Sequence, residues 1–196
     1  MENQLKNDFE KIVKTSGFSK KDIDIKKIYL NEFIKKGFPN KKLENWKFSD
    51  INQIIKKNIG DLGFYNDYSF PNKIDPSIFV NGLEHNKIVF INGRIEKIEF
   101  NYEDENKIEI LDEAEFKDKP NFENSLIDLN NAFTNKYYKI VVKENYALKK
   151  PLIIYHTTTE SLHLKNINLR LDFLLEKNSC LKLIDISNDL SEKNFI

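Results

Sequence analysis

Apolar side chains recur at helical spacing over the first 60 residues, and after residue 136 they fall into short runs without that period. Leu5, Phe9, Ile12 and Val13 stand at i, i+4, i+7 and i+8, one face of a helix that Gly17 ends. Ser19, with Asp22 three positions on, marks the N-cap of a second helix. Its stripe is Ile25, Ile28, Tyr29 and Phe33, and Gly37 with Pro39 stops it. Ser49 is placed to cap a third, shorter helix, with Ile51, Ile54, Ile55 and Ile59 inward and Gly60 as terminator. Each is too short to be stable alone in water, so all three must pack on something.

Pro71 and Pro76 bracket an irregular stretch. Beyond it, two apolar-rich runs flank Asn92-Gly93, a pair suited to the two positive φ angles of a type I′ hairpin turn. Residues 106–111 read as one more strand, and an acidic loop through Pro120 leads to a helix near 122–133 with Phe122, Leu126, Leu129 and Phe133 on one side. Short apolar segments then follow every ten to twelve residues or so. Their alternation changes phase at Lys165-Asn166, from Leu162 and Leu164 to Ile167, Leu169, Leu171 and Phe173. A one-residue slip would turn the core face outward, so a corner is expected there. No glycine follows Gly93, which leaves the late turns to Asn145, Asn166 and Asn178, the non-glycine type most tolerant of left-handed backbone. Repeated short strands with such corners suit a β-solenoid, and a β-sandwich is the competing architecture. The fold class expected is α+β, with a helical and small α/β region over 1–133 and a strand-rich region over 134–196.

Composition changes this picture little. A 40% apolar, 32% charged chain is globular in character, and no apolar run reaches the length of a membrane span. The start of the chain has no apolar segment of the secretory kind, and a lone cysteine fits a reducing, cytoplasmic setting. Net charge is zero but polarised. Residues 1–58 hold fourteen Lys against eight acids, and residues 96–128 hold four Lys against twelve. Nucleic-acid binding is not expected from the basic end, because both arginines, Arg94 and Arg170, lie elsewhere and the lysines are scattered pairs.

Two stretches carry a resemblance. Gly37-Phe38-Pro39-Asn40-Lys41-Lys42-Leu43-Glu44-Asn45-Trp46-Lys47-Phe48-Ser49-Asp50 is similar to an N-terminal signature of the SufB/SufD family, on its SufD side. In that signature a Gly-hydrophobic-Pro turn precedes a charged run and then Glu-x-Trp-Lys-aromatic-Thr/Ser. Leu129-Asn130-Asn131-Ala132-Phe133, with the strand at 139–143 and Pro151-Leu152-Ile153-Ile154, resembles the family's Leu-Asn-x-Ala-Phe helix and the first coils of its β-helix. The hairpin at Val89–Gly93 agrees. The resemblance implies a non-enzymatic scaffold for iron–sulfur cluster assembly that works with SufB-like and SufC-like (ATPase) subunits and takes sulfur from a cysteine desulfurase. It implies a right-handed parallel β-helix starting in 134–196. It also implies that this sequence corresponds to the N-terminal half, with the cluster and ATPase contacts falling after Ile196. No resident cofactor is expected in this segment. The Fe–S cluster would form transiently on the whole complex.

No catalytic, cofactor-binding or metal-binding residue is expected from the residues themselves. Cys180, His156 and His163 lack metal-ligand spacing; Cys180 reads as a small core residue, and the histidines as exposed flanks of the turn 157–161. Trp46 is either a partner anchor or, by preference, a packing residue between the second and third helices. Asp104-Glu105 and Asp112-Glu113 sit in an acidic, exposed stretch without the apolar burial that tunes a catalytic acid. Asp172, Glu176 and Asp185 with Arg170 do not line up as a polysaccharide-active groove, the enzymatic alternative for a β-helix. A free-standing adaptor that uses the basic helices to bind an acidic protein is the other alternative.

Overall fold

The computed structural model describes residues 2–58, 63–64, 74, 76–113, 124–159 and 165–189. The fold is α+β. Helices α1 (Glu2–Thr15), α2 (Lys20–Lys36) and α3 (Ile51–Asn58) come first, followed by the short β1 (Gly63–Phe64) and the hairpin β2 (Asn86–Ile91) and β3 (Arg94–Glu99). Next come β4 (Ile108–Glu113), α4 (Ser125–Phe133), β5 (Lys136–Val142) and β6 (Leu152–Thr158). The last elements are β7 (Lys165–Asn166), β8 (Leu169–Leu175) and β9 (Leu183–Asp189).

The helical stripes become one core. Leu5, Phe9 and Ile12 of α1 meet Tyr29, Leu30 and Phe33 of α2, Ile51 and Ile55 of α3, and Leu129, Ala132 and Phe133 of α4. Phe64 stacks on Phe133 at 3.6 Å between ring centroids. Gly17 and Gly37 end their helices at φ 67° and 68°, and Ser19 Oγ accepts the Asp22 N–H as the N-cap of α2. Three details depart from the sequence pattern. Ile28 is 46% exposed, because α2 is rotated to bury Lys26 and Leu30 instead. Ile54 also faces solvent. The cap of α3 is Asp50, whose Oδ1 accepts the Gln53 N–H, one residue after Ser49. Ile59, Gly60, Pro71, Pro120, Phe122, Leu162, Leu164 and His163 lie outside the described residues.

Two sheets face each other across a second core. One has the order β3-β2-β6-β9 and the other β4-β5-β8. Asn92 and Gly93 take φ 50° and 81°, and Ile91 pairs with Arg94 across them, the two-residue turn that the sequence predicts. After β5 the chain passes from sheet to sheet, and on each return it lies parallel to its earlier strand: β6 against β2, β8 against β5, β9 against β6. Thus strands from both sides of residue 133 share each sheet. Ile88, Phe90, Tyr138, Ile140, Leu152 and Ile154 are buried between the sheets. Val89, Ile91, Ile153 and Tyr155 are buried on the opposite face under Ile74, Ile78 and Phe79. Burial on both faces explains why β2 and β6 read as continuous apolar runs rather than alternating ones.

The corner expected at Lys165-Asn166 falls at 167–168: those two residues form β7, paired with β1, before the chain enters β8 in another sheet. Asn145 and Asn178 do take left-handed backbone, at φ 58° and 59°, as do Asn92 and Asn106. Asn166 does not; it is a buried strand residue whose side chain donates to Asn168. Among the described residues no helix is long and apolar enough to cross a membrane.

Candidate functional site

The register across β2, β6 and β9 sets up two columns of side chains that face the second sheet. One runs Ile88, Ile154, Asp185; the other runs Phe90, His156, Ser187. The inward surface therefore changes from apolar to polar along the stack. At the polar end a cavity of about 590 Å³ opens between the sheets, walled by Leu169, Leu171 and Phe173 on one side and His156, Asp185 and Ser187 on the other. Asn130, which also lines it, donates to the Leu169 carbonyl and accepts from Asn168.

His156 is half-buried within β6, not an exposed turn residue as the sequence suggests. Its ring stacks on Phe90 at 5.1 Å and 13°, and its Nε2 stands 3.3 Å from Asp185 Oδ1. Neither group had an assigned role in the sequence pattern, because the pairing depends on the β6–β9 register. Apolar walls with one polar side can take a small amphipathic molecule or an extended segment of chain. Cys180 does not join it. It is exposed rather than in the core, since it forms a corner bridge to Ala147 ahead of β9. Among the described residues no three His, Cys, Asp or Glu side chains gather as a metal-ligand set.

Away from the cavity, charged groups serve as fasteners. Lys26 is 1% exposed and donates to the carbonyls of Thr134 (2.5 Å) and Asn131 (3.3 Å) at the C-terminal end of α4, with the Phe18 ring 4.6 Å from its Nζ. Burial pushes its ammonium down to about 7 against the opposing pull of Asp22. Lys36 binds the fully buried Asp128 of α4 at 2.9 Å. Glu103 is a half-buried carboxylate in the loop after β3. Its oxygens accept from Asn86 Nδ2 (2.6 Å), Tyr146 Oη (2.7 Å), Lys149 N (3.0 and 3.1 Å) and Lys150 N (3.1 Å). Burial raises its pKa, but these hydrogen bonds together outweigh burial and hold it below the usual value. On β8, Asp172 accepts from Arg170 of the same strand at 3.0 and 3.2 Å and from Tyr137 Oη of β5 at 2.5 Å, and Arg170 lies over the Tyr137 ring, so two contacts to Tyr137 tie β8 to β5. Asp104 and Asp112 are exposed and paired with Lys149 and Lys136, which is a surface role.

Trp46 packs against the helical core from a 3-10 turn at Glu44–Trp46, while Glu44 and Lys47 beside it remain exposed. No family model matches this chain, and no curated protein matches it.

Proposed function

We infer that this chain is a structural scaffold element of SufD type, acting in iron–sulfur cluster assembly alongside SufB-like and SufC-like subunits, and that it is not an enzyme. The observation that carries the reading is the way the chain stacks on itself. Lys136 lies opposite Leu169, Ala147 opposite Cys180, and Leu152 opposite Leu183, so strand, corner and next strand each meet their counterpart 33, 33 and 31 residues later. At the corner the two left-handed asparagines are also stacked, with Asn178 Nδ2 donating to Asn145 Oδ1 at 2.9 Å. One coil repeated on the next with its corners in register is what the opening of a parallel β-helix requires. The right hand follows from the strong preference of parallel crossovers.

On this reading residues 1–133 cap the first coil and 134–196 begin the solenoid. At the capped end the edge strands are β3 and β4, each antiparallel to its neighbour, and α4 packs on α2 under the Lys26 and Lys36 fasteners. Among the described residues β8 and β9 are each paired on one edge only, and Leu174, Leu175, Leu183 and Ile184 are exposed beside them. That end suits continuation of the stack. The Fe–S cluster is cargo of the whole assembly, and the setting is cytoplasmic. Depleting the protein in its source cells tests the reading: iron–sulfur enzymes such as aconitase-type hydratases should lose activity and regain it when the gene is restored. Unchanged iron–sulfur enzyme activity after depletion would overturn it.

A further inference from the structure

The segment between α2 and the end of α3 presents apolar side chains outward on a framework that has no need to expose them. Gly37 ends α2, and Phe38 turns inward to lie edge-on to Phe33 at 5.0 Å. A chain of backbone hydrogen bonds then fixes the turn: Leu43 N to Asn40 O, Trp46 N to Leu43 O, and Ser49 N to Trp46 O, at 3.0, 2.8 and 2.8 Å. Phe38 and Trp46 anchor it from within. Phe48, by contrast, is 87% exposed, and Leu43 is 51% exposed. A lone surface leucine is ordinary, but an aromatic ring held in water on a hydrogen-bonded turn is the kind of group that anchors an interface.

The surroundings define what it would meet. Lys41, Lys42 and Lys47 are exposed on the same turn, with Lys47 Nζ 5.1 Å from the Phe48 ring centroid. Just beyond Phe48, a shallow groove of about 660 Å³ is lined by Asp50, Asn52, Gln53, Lys56 and Lys57. We propose that residues 41–57 form a docking surface for an acidic protein segment, which seats an apolar side chain against Phe48 and Leu43 and lays its carboxylates along the lysines. Charge complementarity argues for an acidic partner. A protein is favoured over an anionic membrane because two carboxylates stand among the lysines: Glu44, 89% exposed and 3.6 Å from Lys47 Nζ, and Asp50, whose Oδ1 caps α3. Phosphates of a lipid surface would repel both, whereas a protein can answer them with single basic groups. The proposal is independent of the scaffold reading.

Its test uses the full chain and a defined panel of synthetic peptides of about 20 residues. The panel holds acidic peptides with Leu or Phe interspersed, equally acidic peptides without apolar residues, and basic controls. Vesicles of phosphatidylcholine with phosphatidylserine form a separate arm. Binding is read by anisotropy and by the fluorescence of Trp46, the only tryptophan. The expected result is saturable binding of acidic-apolar peptides that weakens about tenfold in Phe48→Ser and weakens with added salt, but is unchanged in Ile28→Ser, an exposed site on α2. Phe48 is outside the core, so the variant should keep its native circular dichroism. Binding to vesicles alone, equal binding by Phe48→Ser, or no binding by any acidic-apolar peptide would overturn the proposal.

Discussion

Glu103→Gln isolates how much one carboxylate contributes to closing the loops that precede β6. Four donors converge on Glu103: the Asn86 amide and Tyr146 hydroxyl, and the backbone N–H groups of Lys149 and Lys150. One oxygen takes Asn86 and Lys150, the other takes Tyr146, and Lys149 is shared. A glutamine keeps one acceptor oxygen, and its NH₂ must face the donors at the other end. Whichever way it turns, at least one donor loses its acceptor, and the rest exchange a charged acceptor for a neutral one. Hydrogen bonds to charged groups contribute about 1.5–3 kcal/mol, and water at this half-buried site replaces part of the loss. The expected destabilisation is about 2–4 kcal/mol, which for a chain of this size lowers Tm by roughly 5–12 °C. The pH dependence carries a further signature. The folded carboxyl titrates below its unfolded value, so its stabilisation is full above the unfolded pKa and is lost as pH falls through the folded one. Wild type and variant should therefore differ most near neutral pH and converge in acid. Urea unfolding followed by circular dichroism across that range is the assay. A difference below about 0.5 kcal/mol at neutral pH, or one that does not shrink in acid, would refute the reasoning.

Lys26→Met tests the buried fastener: Lys26 titrates at about 7 folded against 10.5 unfolded, so between those values unfolding takes up a proton and wild-type stability rises with pH. The wild-type minus variant stability should climb over that window, with about 4–5 kcal/mol as the ceiling, and thermal melts at stepped pH would contradict this by a flat difference. Asn178→Ala removes both the left-handed preference and the asparagine pair at the corner, and should cost about 1–2 kcal/mol. Asn178→Gly should recover the backbone share only, so equal melting of the alanine and glycine variants would sink the explanation. Tyr137→Phe should cost about 1 kcal/mol by removing the donor to Asp172, and denaturant titration showing no change would mean that bond is not formed in solution.

The helical stripes, the Gly17 and Gly37 stops, the Ser19 cap, the Asn92-Gly93 hairpin and the left-handed Asn145 and Asn178 were legible because each is a local signal. What failed depended on tertiary choices. The rotation of α2 that exposes Ile28 is set by Lys26 reaching carbonyls of α4 and the residue following it, which no window along α2 contains. Cys180 reads as a core residue by type but falls at a corner, where the backbone bridges to Ala147 and leaves the thiol outside. Asn166 looks like a turn residue, yet pairing of β7 with β1 makes it a strand. The His156–Asp185 pair and the Glu103 clamp were invisible for a similar reason: the parallel β6–β9 register joins the first across 29 positions, and the antiparallel β2–β3 hairpin with the parallel β2–β6 pair joins the second across up to 47. The exposure of Phe48 could not be read from the motif in which it sits, since aromatic residues in a turn more often pack inward.

The scaffold account is tested most directly by tagging the gene at its own locus, isolating the native complex under mild salt, and identifying its subunits by mass spectrometry. The account predicts SufB-like and SufC-like subunits in fixed proportion to the tagged protein. A tagged protein recovered reproducibly without either one would contradict it.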